Sequence, residues 1–148
     1  MKAATTRSIR IALIAAGAMT MMGMPASAEG VDGIWAMTDG KVTVKVATCG
    51  GNLCAKIVGL KEPISKIDGK PKVDHENPNA SLRKRPLIGI DILVGMKPDK
   101  TGVWKGQIYN ADDGKIYKAT LTQNGNKISL KACVAAVLCR TSNFVRSN

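Results

Sequence analysis

The sequence predicts an all-β fold, a small eight-stranded up-and-down antiparallel barrel, for three reasons. Short stretches alternate apolar and polar residues, as strands with one dry and one wet face do. Glycine, asparagine and aspartate mark turns between them at short intervals. No long stretch has helical periodicity. Short sequential connections favour a closed barrel, which leaves no exposed edge, over a sandwich, which needs longer crossovers.

The chain begins with the pattern of a cleavable export signal. A basic start precedes an apolar stretch at residues 11–24, and small residues at 26 and 28 flank a serine, as at a signal peptidase site. The apolar stretch is too short for a comfortable membrane span. We therefore expect a cleaved signal peptide at residues 1–28 and a single periplasmic or secreted domain at residues 29–148.

The charge balance is basic. The 148 residues carry 22 Lys and Arg against 11 Asp and Glu. Because residues 1–28 hold three of the basic residues and none of the acidic ones, the remainder keeps a net charge of +8. This charge favours an anionic envelope component or an acidic protein as partner, with a solvated surface as the alternative. Export argues against nucleic acid.

The first four strands are predicted from their alternation and from the turns beside them. Residues 34–37 form the first, and residues 42–46, where valines alternate with Lys and Thr, form the second. A Cys-Gly-Gly-Asn turn leads into the third strand at residues 53–60. The fourth follows a long connection and covers residues 90–96.

The last four strands are separated by a Lys-Pro-Asp-Lys-Thr-Gly loop, an Asn-Ala-Asp-Asp-Gly turn and an Asn-Gly pair. They are predicted at residues 103–109, 116–122, 127–132 and 138–146.

The four cysteines form two local pairs, Cys49 with Cys54 and Cys133 with Cys139, each across a predicted hairpin turn. In an oxidising compartment an even count favours structural disulfides. A four-thiolate zinc site and a redox-active pair are the alternatives, but no Cys-x-x-Cys is present and zinc ligands are usually spaced more closely.

The connection at residues 61–86 is long for a compact domain, and such loops are often functional. Asn77 is predicted to cap a short helix that has Pro78 in its first position and ends at Pro86. We expect this segment to form a lid or plug at one end of the barrel.

The chain resembles an exported bacterial family known only as domain of unknown function 2147 (DUF2147), over residues 31–146. Any one matching motif is weak, whereas together they are specific. The motifs are Gly33-x-Trp35, Cys49-Gly50-x-x-Leu53-Cys54, Asp74-x-x-Asn77-Pro78, Leu82-Arg83-x-Arg85-Pro86-Leu87-x-Gly89, Trp104-x-Gly106, Ile108-Tyr109, Gly114-Lys115-x-Tyr117 and Arg140-Thr141 with Arg146.

The resemblance implies a lipocalin-like barrel and no established activity. It also implies a closure device in which Trp35 of the first strand packs across the barrel base beneath an arginine of the last. Arg146 is the predicted partner, with Arg140 as the other candidate. Such a contact stabilises the fold through a cation over an indole face.

The long segment holds the candidate ligand-binding residues Asp74, Asn77, Arg83 and Arg85. Two arginines beside a carboxylate and an amide can bind an anion through bidentate hydrogen bonds. In the alternative, Asp74 pairs with an arginine and Asn77 caps the helix, so that these residues only hold the segment in place.

The sequence does not favour an enzyme. His75 is the single histidine, and no Gly-x-Ser-x-Gly elbow accompanies it. The consecutive residues Asp74, His75 and Glu76 cannot easily converge on one metal ion. No catalytic residue, metal or cofactor is therefore predicted.

Two functions remain open. The first is binding of a small apolar or amphipathic anionic ligand inside the barrel, which requires a cavity on the order of a few hundred Å3. A barrel packed solid would argue against it. The second is an envelope- or protein-binding module, of the inhibitor or adaptor type, that uses the basic outer surface.

Overall fold

The computed structural model describes residues 30–148, so the predicted signal peptide lies outside the described residues. Eight strands form a closed antiparallel barrel in which each strand pairs with the next and the last pairs with the first. The strands are β1 (Gly33–Met37), β2 (Val42–Cys49), β3 (Asn52–Leu60), β4 (Leu93–Lys100), β5 (Val103–Asn110), β6 (Lys115–Asn124), β7 (Lys127–Cys133) and β8 (Cys139–Ser147). The predicted up-and-down barrel is confirmed.

Side chains alternate between the interior and solvent along the strands, as the sequence pattern requires. In β2, Val44 and Val46 are buried and Lys45 is exposed between them. In β7, Ile128 and Leu130 are buried while Lys127 and Lys131 face solvent. This period-two alternation supplies one continuous apolar core inside the barrel.

One end of the barrel is closed by Trp35 and Arg146, which are register partners on β1 and β8. The Arg146 guanidinium lies 4.3 Å from the centre of the fully buried indole ring. It also donates to the carbonyls of Gly30 at 2.6 Å and Asp32 at 2.9 Å. A Cβ on Gly33 would lie 2.6 Å from Arg146 Nη1, so glycine leaves the room that the guanidinium needs. This is the arrangement that the resemblance implies.

The predicted disulfides are confirmed, and they lie at opposite ends of the barrel. Cys49–Cys54 joins β2 and β3 at the closed end. Cys133–Cys139 joins β7 and β8 at the other end, where these two residues are register partners.

The seam between β3 and β4 is the least regular part of the barrel. Leu53 and Met96 are register partners there, and Lys56 forms an isolated bridge with Asp91. β4 begins and ends later than predicted, and its pairing with β5 shifts register on both sides of the stretch from Lys97 to Pro98. A sequence reading that requires strict alternation cannot follow such bulges.

The long segment at residues 61–86 has little regular structure. Its one helical turn is a 3-10 turn at Ala80–Leu82, capped by the side chain of Asn79, which accepts from the Ser81 amide. The prediction that Asn77 caps this turn is therefore wrong. The Asn77 side chain faces the barrel, where a buried carboxylate binds it.

Candidate functional site

The end of the barrel opposite Trp35 contains a cavity of about 580 Å3. Its walls are mainly apolar, and they include Val42, Ile57, Leu87, Ile108, Leu130 and Phe144. The lining also reaches residues of the β1–β2, β5–β6 and β7–β8 connections, all of which lie at this end. The cavity therefore opens at this end of the barrel, which we call the open end.

The other half of the barrel is packed. It contains a void of about 20 Å3, which is lined entirely by apolar side chains that include Trp35 and Leu121. Val44, Ile92, Leu130 and Phe144 line both this void and the cavity, so they form the floor between the two halves. The barrel is thus hollow in its open half, with a volume typical of small-molecule pockets.

The rim of the cavity carries charged side chains. Lys41 Nζ lies 3.3 Å from Asp39 Oδ2, and both residues line the mouth together with Asp112 and Arg140. A hydrogen bond from the Lys41 amide lowers the pKa of Asp39, and the charges of Lys41 and Arg140 lower it further. Arg140 is exposed and makes no ion pair within residues 30–148. Its charge is available to an anionic group at the mouth.

Arg140 is not the arginine that closes the barrel above Trp35, although the sequence offered it as the other candidate. It pairs with Ala132 near the start of β8, at the open end, and so cannot reach Trp35 at the closed end.

A second polar cluster surrounds Asp74, which is fully buried beside the barrel. The Tyr109 hydroxyl donates to Asp74 Oδ1 at 2.6 Å, and Asn77 Nδ2 donates to Oδ2 at 2.8 Å. Arg85 donates to the same Oδ2 from Nε at 2.9 Å and from Nη2 at 2.8 Å. Asn77 Nδ2 also lies 3.1 Å from the Tyr109 oxygen. The carboxylate is thus fully coordinated by donors.

These contacts determine the protonation of the cluster. Burial alone would raise the pKa of Asp74, but the hydrogen bonds from Tyr109, Asn77 and Arg85 outweigh it and hold the pKa below its ordinary value. Burial raises the pKa of Tyr109, and the Asp74 carboxylate raises it further. At neutral pH the cluster is therefore a carboxylate paired with a guanidinium and a protonated phenol.

The cluster attaches the long segment to the barrel. Tyr109 is on β5 and lines the cavity, whereas its partners Asp74, Asn77 and Arg85 belong to the segment. Arg83 is bound within the segment, because its Nε donates to the Asn77 carbonyl at 2.7 Å. All four candidate ligand-binding residues thus hold the segment together, and their role in binding a ligand stays a prediction.

A close backbone contact fixes the same segment against the β5–β6 turn. Gly114 is buried with a φ of +69°, and a Cβ there would lie 1.8 Å from the Glu76 carbonyl oxygen. Only glycine allows both the turn and this approach. Nearby, the Tyr117 hydroxyl donates to Asp113. The segment is therefore attached beside the mouth, and of the described residues 61–86 none lines the cavity.

The Asp74-His75-Glu76 triplet does not act as one group. The His75 side chain is 83 % exposed and its Nδ1 lies 2.9 Å from Glu76 Oε1, while Asp74 is buried with other partners. Within residues 30–148 no group of three His, Cys, Asp or Glu side chains is placed to hold a metal ion.

From the sequence alone, Tyr109 has no assigned role, and Arg140 is considered only as the alternative closing arginine, not as a residue of the mouth. Both occur in the motifs that carry the family resemblance, so the signal was present. Their roles depend on register. Tyr109 shares the outer face of β5 with the exposed Lys105 and Gln107 and is buried there by the long segment, and Arg140 lies at the mouth on β8.

Comparisons with known proteins agree with this fold. A family model described as an uncharacterised protein conserved in bacteria, DUF2147, matches residues 33–146. A solved structure from Helicobacter pylori, protein HP1028, which belongs to the lipocalin family, is similar with a TM-score of 0.67. It is 24 % identical, and the match covers 80 % of this chain and 84 % of that one. No curated protein matches the chain at a significant level.

Within residues 30–148 no helix has the length and apolar character needed to cross a bilayer.

Proposed function

Since the chain belongs to the bacterial DUF2147 family and has a lipocalin-like barrel, we propose that it binds a small amphipathic anionic ligand in the open half of that barrel. The observation that carries this proposal is the cavity of about 580 Å3, which has apolar walls and a charged rim. The apolar part of the ligand lies among Val42, Ile108 and Leu130, where it is removed from water.

The anionic group of the ligand binds at the mouth. Arg140 supports this assignment because it lines the cavity and is exposed, whereas Arg83 and Arg85 already bind groups of the long segment. Lys41 adds positive charge, although Asp39 partly compensates it. A charge-assisted hydrogen bond to a guanidinium contributes orientation as well as affinity.

We infer a binding protein rather than an enzyme. His75 is solvated on the long segment and pairs with Glu76, so it does not activate a nucleophile beside the cavity. We also infer that the protein is exported. Its two disulfides support this inference, because structural disulfides persist in oxidising compartments.

Native mass spectrometry of the protein purified gently from its own host tests the carried ligand. We expect an added mass that disappears on denaturation, and an intact mass that corresponds to a start at residue 29 with two disulfides. The same measurement on periplasmic and culture fractions tests the location. A bare protein in every preparation would argue for the outer-surface alternative.

Two fluorescent probes test the site itself. Anilinonaphthalene sulfonate is an amphipathic anion, and phenylnaphthylamine is a closely related neutral molecule. Ala132→Trp places an indole in the cavity and should weaken the binding of both probes at least about tenfold. Thr141→Trp, on the solvent side of the neighbouring strand, is the matched control and should leave both unchanged.

Arg140→Gln separates the anionic contact from the apolar one. It should weaken the binding of the anionic probe about tenfold and leave the affinity for the neutral probe unchanged, since only the sulfonate binds the guanidinium. Equal affinities for both probes in wild type and Ala132→Trp would refute binding in the cavity. An unchanged sulfonate affinity in Arg140→Gln would refute the role of Arg140 alone.

A further inference from the structure

The tip of the β7–β8 hairpin is an exposed apolar projection at the open end. It comprises residues 134–138, with the sequence Val-Ala-Ala-Val-Leu, and we call it the hairpin tip. Val134 is 73 % exposed, Val137 86 % and Leu138 65 %. A soluble domain gains nothing from three large aliphatic side chains in water at one turn, so the tip points to a partner that buries them.

The hairpin tip is held in place from below. The Cys133–Cys139 disulfide closes it, and the Val134 amide donates to the Leu138 carbonyl at 2.9 Å. These bonds limit how far the tip can fold back to hide its side chains. A projection fixed in this way loses little further freedom when it binds.

Basic side chains lie directly behind the hairpin tip. Lys118 is the register partner of Cys133, and Lys131 and Arg140 lie within two residues of the disulfide. None of the three makes an ion pair within the part of the chain that the structure describes.

Acidic groups also lie at this end of the barrel. Among them are Asp39, which pairs with Lys41, Asp113, which accepts from Tyr117, and Asp112 on the mouth.

We propose that the hairpin tip inserts into the surface of a bilayer that contains anionic lipids. An uncharged apolar tip with cations behind it matches the layering of such a surface, in which hydrocarbon lies beneath phosphate groups. A short convex turn also suits a bilayer, which deforms around it, better than a second copy of the chain, which needs a larger complementary surface.

The hairpin tip lies beside the mouth of the cavity, which suggests what docking would serve. Val134 and Leu138 also line the cavity, so docking would place the mouth against the lipid surface. An amphipathic ligand could then pass between bilayer and barrel without crossing water. This use rests on the proposed function, whereas the docking itself does not.

Flotation with lipid vesicles tests the proposal. The probes are vesicles of phosphatidylcholine alone and of equal parts phosphatidylcholine and phosphatidylglycerol, at low and physiological salt. All variants carry the same N-terminus, checked by intact mass, so that the apolar stretch at residues 11–24 contributes equally wherever it is retained. Wild-type protein should bind the mixed vesicles and bind less at higher salt.

Val137→Asp is the decisive variant, because Val137 is 86 % exposed and does not line the cavity. It should lower partitioning into mixed vesicles at least about tenfold. Ile67→Asp is the matched control: Ile67 is 98 % exposed, lies on the long segment and gains the same charge. It should change partitioning less than about twofold. The double variant Lys118→Gln/Lys131→Gln should weaken binding to mixed vesicles while leaving binding to neutral ones unchanged.

Each outcome decides between docking and its alternatives. Equal partitioning of Val137→Asp and Ile67→Asp overturns the proposal, as does wild-type protein that fails to float with mixed vesicles. Loss of a dimer in Val137→Asp during size-exclusion chromatography would instead identify a second copy as the occupant. The affinity for phenylnaphthylamine should be unchanged in Val137→Asp and in Ile67→Asp. A failure of the docking proposal therefore leaves the proposed ligand binding intact, and a failure of ligand binding leaves the docking proposal intact.

Discussion

Replacing Asp74 with asparagine should destabilise the protein by about 2–4 kcal/mol at neutral pH. The carboxylate is fully buried and accepts from Tyr109, Asn77 and Arg85 at 2.6–2.9 Å. Asparagine keeps one acceptor oxygen and turns an N–H group toward a donor, so at least one of these partners loses its acceptor. This loss of stability is smaller than for a fully buried ion pair, because the Arg85 side chain is 35 % exposed and water can solvate it after the change. The midpoint of thermal unfolding should fall by about 10 °C.

The pH dependence of this loss gives a sharper test. The pKa of Asp74 is lower in the folded protein than its ordinary value. The carboxylate therefore contributes its full stability above about pH 4, and this contribution is lost as the pH falls through the lowered pKa. The difference in free energy of unfolding between wild type and Asp74→Asn should be constant near neutrality and should shrink toward about pH 3.

Urea denaturation at a series of pH values measures this difference. Asp91→Asn is the matched control, since Asp91 pairs with Lys56 at 2.6 Å but both side chains are more than half exposed. Its cost should stay below about 1 kcal/mol. If Asp74→Asn costs no more than the control, or costs as much in acid as at neutral pH, the buried cluster does not hold the segment as described.

Two further substitutions test the remaining structural assignments. Gly114→Ala should destabilise the protein by more than about 2 kcal/mol, because its Cβ would lie 1.8 Å from the Glu76 carbonyl oxygen. Gly125→Ala is the control: Gly125 has a φ of +57° and open space around it, so this change should cost only about 1 kcal/mol. Midpoints of urea denaturation compare the two variants. Arg146→Met should lower the free energy of unfolding by about 1–3 kcal/mol and alter the fluorescence of the Trp35 indole beneath it. Unchanged emission and stability would contradict the closure of the barrel by Arg146 and Trp35.

The strands were predictable where local signals are strong. In β2 and β7 apolar residues alternate with lysine, threonine or serine, and a turn that contains glycine precedes each strand, so the alternation and the turn signal predict the same start. β4 was placed only roughly, because its register shifts beside Pro98 break the alternation. A bulge depends on the partner strand, and a single strand's sequence does not contain that partner.

The site was predictable in part. Asp74 and Arg85 stand out in sequence as a carboxylate and a guanidinium on a long loop, but whether they face a ligand or each other depends on how the loop folds. Burial decides it, since Asp74 is fully buried and paired with Arg85. Arg140 could not be assigned to the mouth without the register of β8 against β7.

The irregular seam between β3 and β4 determines where the barrel can widen. Between β5 and β6 the strands stay in register from Val103 to Asn110, so parting them would break a continuous row of hydrogen bonds. β3 and β4 share far fewer, and Ile57 and Ile92 beside that seam line the cavity. A ligand too bulky for the resting cavity would therefore be accommodated by separating this one pair of strands. The amides of Ile57 and Ile92 would then lose their protection from hydrogen exchange first, while the rest of the barrel stays closed.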